Sequence, residues 1–574
     1  MNQIKELKNI VCKPKYLQEG ETFKDGMSRV AGVLKDSDEH FFASREVLLD
    51  QRFLPAGRVQ ASIGAMLSTT AFNCYVSGTI EDSMSGIMKA IADAAQTMRL
   101  GGGDGFDFST LRPKNAKIKS LNSFSSGPVS FMHIWDAMCA TIKSAGHRRG
   151  AMMGVLRVDH PDIEEFITCK REEGKLTNFN ISVACTEEFM EAVKNDLPFD
   201  LKFGNEVYKT VSAKYLWEKI MRSTWEYAEP GILYIDRMNA KNNLHYVETI
   251  AATNPCGEQP LPPHGACLLG SFNAVKYLIT YKDVVSGLQD VEFNYKQLRE
   301  DIPHIVRMMD NVIDNTTYPL PEQEEEAKNK RRMGLGITGL ANAAEIMGYP
   351  YGSKGMLEFT ETVMTLIRDE CYRASIDLAK EKGPFPLFDA DKYCVGEFIL
   401  SLPQDIREGI RSYGIRNSHL LSIAPTGTIS LWADNISSGI EPVFAHTQER
   451  NAFLPSGDKG TFIIEDWAYA NYGVKGKTSS EVTAKEHIDV LNMASKLVDS
   501  SCSKTCNVGD DVTFDEFKEL YMLAYDGGSS GCTTFRPKAF GIRGAVIQEV
   551  EADIAEEDGA ACFINEFGER ECAD

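Results

Sequence analysis

The 574-residue chain contains no uninterrupted apolar run of about 18 residues, so no membrane-spanning helix is expected. It also has no long run of Lys or Arg. The 61 basic residues stand against 82 acidic ones, a net charge of −21. An acidic protein without a basic stripe repels a phosphate backbone, which excludes polymeric nucleic acid as the expected partner. A small anionic substrate held by a few Arg side chains and backbone amides stays open. The opening MNQIKELKNIVCKPK lacks an apolar core and a small-residue cleavage site, so it does not read as a signal peptide, and a cytoplasmic location is expected. There is no internal repeat and no Gly-Lys-Ser/Thr phosphate loop. With 43% hydrophobic and 25% charged residues, the chain is neither disordered nor low in complexity.

Cysteine is what the chain has in quantity: there are 14. A reducing compartment argues against a structural disulfide framework, so some of them are expected to be core residues and others to do redox chemistry.

Residues 1–50 read as short helices, followed by a turn at Leu54-Pro55-Ala56-Gly57. In the next helical segment Met84, Ile87, Met88, Ile91, Ala95 and Met98 share a face, with Thr79 as the expected N-cap and Asp82 at N3. Gly101-Gly102-Gly103-Asp104-Gly105 reads as its stop. A further helix is expected from Pro128, and a long one closes at Gly383. HLLSIA (419–424) reads as a strand. Strands alternating with helices predict an α/β architecture, doubly wound or barrel, and the acidic segment after about residue 545 reads as a mobile tail.

Three cysteines stand out. Cys256, in Asn254-Pro255-Cys256-Gly257-Glu258, sits on a tight loop with a carboxylate two residues away that is placed to act as a general base. Cys267 follows eleven residues later in an apolar setting, and Cys74 lies in the strand-like Phe-Asn-Cys-Tyr-Val. Taken singly, each also reads as an ordinary loop or core cysteine. Two loops are suited to anions. Ala424-Pro425-Thr426-Gly427-Thr428-Ile429-Ser430 offers hydroxyls and amides where a strand meets a helix, and Gly146-His147-Arg148-Arg149-Gly150 pairs guanidiniums with glycines. An ordinary turn and a solvated surface loop would read the same way.

The ordered set is far more specific than its parts. FNCYV, GGGDGFDFSTLRP, GHRRGAMMGVLRVDHPDIEEFI, NFNIS, NPCGE, the cysteine eleven residues beyond it, and APTGTIS…SGIEPVF together resemble the catalytic subunit of ribonucleotide reductases, most closely the adenosylcobalamin-dependent class II enzymes. The resemblance implies a ten-stranded α/β barrel of two antiparallel five-stranded halves, with a central finger loop carrying the radical cysteine. It divides the chain into 1–50, an N-terminal helical segment without the ATP-sensing domain, 51–545, the barrel, and 546–574, a flexible acidic redox-active tail. It makes Cys256 the thiyl residue, Glu258 the acceptor of the 3′-hydroxyl proton and Asn254 a ribose ligand. Cys74 and Cys267 become the reducing dithiol, and Thr426, Gly427, Thr428 and Ser430 the substrate phosphate loop.

The same resemblance implies a deoxynucleotide or ATP specificity effector at Asp82, Arg112 and Arg149, at the interface of a homodimer. It also implies re-reduction by a thioredoxin- or glutaredoxin-type protein through Cys562 and Cys572. Those two are ten residues apart, where the family's tail cysteines are closely spaced. Enzymes that import their radical from a second subunit carry adjacent tyrosines near the last barrel strand. This chain has Thr533-Thr534 instead, so adenosylcobalamin is the expected radical source; resemblance to the dimeric members of the family implies ribonucleoside diphosphates as the substrates. A catalytic subunit needing a separate radical-generating subunit, and a silent nucleotide-binding regulator, are the competing readings. Cys502 and Cys506 match nothing in the pattern; two ligands alone do not make a metal site.

Overall fold

A computed structural model describes residues 2–66, 69–118, 121–142, 150–172, 174–282, 289–454, 459–509 and 511–536, and the backbone of 562–564 and 570–572. The chain opens on four helices, Asn2–Val11, Lys13–Tyr16, Phe23–Val33 and Asp38–Leu49. The third starts where it does because Thr22 and Asp25 form a reciprocal capping box, side chain to backbone in both directions. Tyr16 and Phe23 then set their rings edge-on to Trp432, 6.0 and 5.6 Å away, which ties the N-terminal helices to the body of the protein.

The expected turn at Leu54–Gly57 is instead strand β1 (Phe53–Pro55) running into a short helix. After it come β2 (Cys74–Val76), β3 (Gly103–Asp107), β4 (Met152–Arg157), β5 (Phe179–Cys185) and β6 (Gly231–Tyr234). β2 to β6 lie side by side and parallel, in chain order. Their side chains are buried on both faces, as a parallel sheet covered by helices requires. β7 (Ala252–Thr253) and β8 (Pro260–Leu261) form a separate small hairpin, and β9 (Ala266–Cys267) pairs antiparallel with β2. β10 (Leu269–Asn273) pairs with β1 and, in parallel, with β11 (Gly334–Thr338). Finally β12 (Thr505–Asn507) lies parallel to β13 (Gly531–Phe535), which closes antiparallel onto β6.

The described strands thus form an α/β structure with one eight-stranded and one three-stranded sheet, and no closed barrel among them. HLLSIA, expected as a strand, makes isolated parallel bridges instead, Leu421 to Leu335 and Ile423 to Cys502. Asp499 takes the N–H groups of Leu420 and Leu421 at 2.7 and 2.9 Å, so a carboxylate stands where a strand's carbonyls would continue the ladder.

Three of the helices bear on the site. One starts at Met84 rather than Thr79, because Ser83 accepts the N–H of Gly86 at 3.0 Å and takes the cap. The helix Pro128–Thr141 begins at its proline, and Lys354–Lys382 ends at Gly383 as expected. No described helix is long and apolar enough to cross a membrane.

Candidate active site

The hairpin β7–β8 carries Asn254 to Gln259 at its tip, and the loop closes on itself through its first residue. Asn254 N–H donates to the Gln259 carbonyl at 3.2 Å, Gln259 N–H donates to Asn254 Oδ1 at 3.0 Å, and Gly257 N–H donates to the Asn254 carbonyl at 3.1 Å. An asparagine is suited to this place because its side-chain oxygen imitates a backbone acceptor. The tip can enter the sheet's interior only where strands carry no side chain. A Cβ on Gly105 of β3 would lie 2.0 Å from the Thr253 carbonyl oxygen. The helix that starts at Met84 ends at Arg99, just before the glycine run as expected, and the later part of the run, from Gly103, is strand β3, where Gly105 makes room for the hairpin.

A small cavity lies at this tip, lined among others by Asn73, Cys74, Cys256, Glu258, Ser271 and Thr426. Three segments far apart in the chain thus supply Cys74, Cys256 with Glu258, and Thr426 to one space. Cys267 is directly opposite Cys74 in the β9–β2 ladder; its side chain lies outside the described ones. Directly opposed antiparallel residues have Cα atoms about 4.5–5.5 Å apart, within the range a disulfide spans.

The electrostatics separate two kinds of group. Burial pushes the Glu258 carboxyl up to about 7, partly offset by the Asn254 side chain beside it. Burial, and then the Glu258 charge, pushes the Cys74 thiol up to about 12. Near neutral pH, Glu258 can exchange a proton while Cys74 holds its own and can only donate it. Asn254 Nδ2, Glu258 Oε2 and Asn73 Oδ1 are buried without a hydrogen-bond partner. Buried orphans of this kind are expensive in a folded protein; Asn73 and Glu258 line the cavity and bring two acceptors to it, which hydroxyl groups satisfy, while Asn254 opens the same hairpin loop as Glu258.

The anion loop follows the bridge at Ile423 and enters a helix at Gly427–Trp432. Thr426 adopts φ 55°, and its hydroxyl is already engaged. It lies 2.9 Å from the Thr338 hydroxyl and 3.0 Å from that of Ser430, and accepts Gly439 N–H at 2.7 Å. The Thr426 and Ser430 hydroxyls therefore brace the loop from within. On its other side, Gly427 and Ser430 also line a larger cleft of about 760 Å³, with Ser437, Glu441, Asn507 and Phe535. The Glu441 carboxylate is held by the buried Lys504 ammonium and by Thr505 N–H at 2.7 Å.

Elsewhere, Asp82 and Arg112 meet at the surface, with Arg112 Nε donating to Asp82 Oδ2 at 2.7 Å. Arg149 lies outside the described residues. Cys562 and Cys572, ten residues apart, are directly opposed in a small antiparallel ladder of strands Cys562–Ile564 and Arg570–Cys572. Cys506 does not pair with Cys502; its thiol lies beside that of Cys532 on the neighbouring strand. The described residues contain no group of three or more His, Cys, Asp or Glu placed to hold a metal ion. Thr534 is buried, its hydroxyl 2.9 Å from that of Tyr521. The sequence reading assigned no role to Asn73, Glu441 and Gln259, although Asn73 lies within FNCYV, Glu441 within SGIEPVF and Gln259 directly after NPCGE.

The family model described as "Ribonucleotide reductase, barrel domain" matches residues 72–456 and 464–535. A "Vitamin B12-dependent ribonucleoside-diphosphate reductase" of Thermoplasma acidophilum is 33% identical over 547 residues, covering 90% of this chain and 68% of that protein. One of the same name from Mycobacterium tuberculosis is 33% identical over 521 residues, covering 85% and 71%. A "Ribonucleoside-diphosphate reductase subunit alpha" of Chlamydia pneumoniae is 27% identical, over 72% of this chain and 44% of that protein.

Proposed function

The chain belongs to the ribonucleotide reductase barrel family, and we propose that it reduces ribonucleoside diphosphates to 2′-deoxyribonucleotides as an adenosylcobalamin-dependent enzyme. One observation carries this reading: Cys256, Glu258 and Cys74 converge on a single cavity, with Thr426 of the anion loop in its wall. The β7–β8 hairpin is then the finger loop. The ten-stranded barrel of two five-stranded halves is supported by the five parallel strands β2–β6, and by the bridges that run from β11 through Leu421 and Ile423 to Cys502.

In this site the thiyl form of Cys256 removes the 3′-hydrogen of the ribose. Glu258, ionised, accepts the 3′-hydroxyl proton, and Asn254 Nδ2 holds a ribose hydroxyl. Cys74, whose thiol keeps its proton, gives it to the departing 2′-hydroxyl, which leaves as water. Cys74 and Cys267 supply two electrons and end as a disulfide, which their opposed positions allow; the hydrogen of the second thiol goes to the 2′-carbon in place of the lost hydroxyl, and Glu258 gives its proton back to the 3′-oxygen. Cys256 returns the 3′-hydrogen. The backbone of Gly427 and Thr428, braced by Thr426 and Ser430, holds the substrate phosphates.

Adenosylcobalamin, when bound, supplies the unpaired electron by homolysis of its cobalt–carbon bond. The cleft beside Gly427 and Ser430 would take its nucleoside portion through the polar groups that line it. Ser437, Glu441 and Asn507 would take its hydroxyls and base edge, and Phe535 its flat face. The cleft opens at the ends of β12 and β13, next to Thr533-Thr534, which cannot relay a radical as tyrosines would; this disfavours a separate radical-generating subunit.

The remaining partners follow from weaker support. Asp82 and Arg112, already joined, would bind the ribose and phosphate of a deoxynucleotide or ATP effector, with Arg149 reporting its identity. The helices Met84–Arg99 and Pro128–Thr141 pack on each other and leave Met84, Met88 and Ile134 exposed, apolar area that a second copy would cover. The opposed backbone positions of Cys562 and Cys572 support a dithiol that shuttles electrons from a thioredoxin- or glutaredoxin-type protein. Changing both to serine should stop thioredoxin-driven turnover yet leave one turnover from prereduced enzyme, read by single-turnover product yield. Normal multiple turnover would take the tail out of the reaction.

The test of the main reading is to incubate the purified chain with ribonucleoside diphosphate, effector, dithiol and adenosylcobalamin, without oxygen or a second protein. Deoxyribonucleotide that appears only with the cobalamin is expected. If folded protein makes none under those conditions but does so with a radical-generating subunit, the cofactor assignment fails.

A further inference from the structure

The hairpin that carries Cys256 has two ladder pairs, Ala252 with Leu261 and Thr253 with Pro260. So short a hairpin does not hold its own position, and its tip must be placed by the walls around it. Among the described residues, Asn180 Nδ2 donates to the Pro255 carbonyl at 3.2 Å and Ser501 N–H to the Glu258 carbonyl at 3.0 Å. A third contact joins two side chains: Gln259 Nε2 donates to Ser422 Oγ at 2.8 Å, and both residues are fully buried. Gln259 is also the far end of the loop-closing pair, donating its N–H to Asn254 Oδ1 and accepting Asn254 N–H on its carbonyl. Glu258 precedes it directly. The contact exists because β11 has a glycine there: a Cβ on Gly334 would lie 2.2 Å from both Gln259 Nε2 and Ser422 Oγ.

We propose that Gln259 is a positioning residue of the active site. Its amide, clamped to Ser422 through the gap left by Gly334, sets how far the finger reaches into the cavity, and so where the Cys256 sulfur and the Glu258 carboxyl stand. One side chain thereby couples the finger to the bridge segment that leads into the phosphate loop at Pro425–Ser430. The kinetic part of the proposal rests on the reductase reading; the structural part does not.

Gln259→Met keeps the volume and removes the hydrogen bond, and Ser422→Ala removes the partner without touching the finger. Each should lower kcat about 10- to 100-fold, the effect of moving a reacting group by about 1 Å, while KM changes less than about threefold. The double variant should be no slower than Gln259→Met alone, since both changes break one interaction. Alkylation of Cys256 by iodoacetamide, followed by peptide mass spectrometry, should speed up about tenfold or more in both single variants. Cys371, buried in the helix Lys354–Lys382, serves as the internal reference, and its rate should stay unchanged. An unchanged Cys256 alkylation rate in both variants overturns the proposal whatever kcat does. If wild-type chain has no reductase activity, the reductase reading fails and the alkylation rates still decide the role of Gln259.

Discussion

Serine in place of Cys256 is expected to abolish deoxyribonucleotide formation while nucleotide binding stays within about twofold. The loss should exceed about 10⁴-fold, equivalent to about 5.5 kcal/mol of barrier. Oxygen replaces sulfur with little change of shape, so the bonds that close the finger, between Asn254 and Gln259, are untouched. Cys74, Glu258 and Thr426 keep their places in the wall of the cavity. What disappears is the one group at the finger tip that can hold an unpaired electron and exchange a hydrogen atom with a ribose carbon. Product quantified over many turnovers, beside nucleotide binding by calorimetry, checks both halves. Steady residual turnover would remove Cys256 from the radical step.

Glu258→Gln should have two opposite effects. Activity should fall about 10²- to 10⁴-fold, the usual contribution of a positioned proton acceptor, because an amide cannot take the 3′-hydroxyl proton. Stability should rise above neutral pH. The Glu258 carboxyl titrates at about 7 in the folded protein against an ordinary 4.5, so the folded state binds this proton more tightly than the unfolded one. The penalty for burying the charge is absent below about pH 4.5, grows as pH rises towards 7, and reaches a ceiling of about 3 kcal/mol above it. The variant lacks that charge, so its advantage in thermal melts should be larger at pH 8 than at pH 5. Wild-type activity should itself rise through about pH 7, as Glu258 ionises. An equal melting temperature for both proteins at pH 8 would contradict the buried, raised carboxyl.

Local chemistry made much of this legible in the sequence. A cysteine between proline and glycine announces a tight loop, and Asn254-Pro255-Cys256-Gly257-Glu258 forms one. The helix starting at Pro128 and the stop at Gly383 follow from proline and glycine geometry alone. Where reading failed, a nonlocal partner had decided. The cap moved from Thr79 to Ser83, while Asp82, read as an N3 residue, is held by Arg112, thirty residues on. HLLSIA reads as a strand, but Asp499 intercepts two of its amides and leaves only bridges.

The sequence by itself determined the inventory of the site: three cysteines, a carboxylate, an amide and a hydroxyl-rich loop, in an order specific enough to imply the family. It did so because turn-forming residues and motif order act over a few neighbouring positions. Only the tertiary structure decided which of these groups stay unsatisfied and how they titrate. Burial is set by segments hundreds of residues apart, and it is burial that raises Glu258 and Cys74 and leaves Asn254 Nδ2 without a partner. The same holds for Gly105 and Gly334. Gly105 reads as part of a helix stop and Gly334 as an ordinary glycine, and the purpose of each appears only when the hairpin loop occupies the space where a side chain would have been.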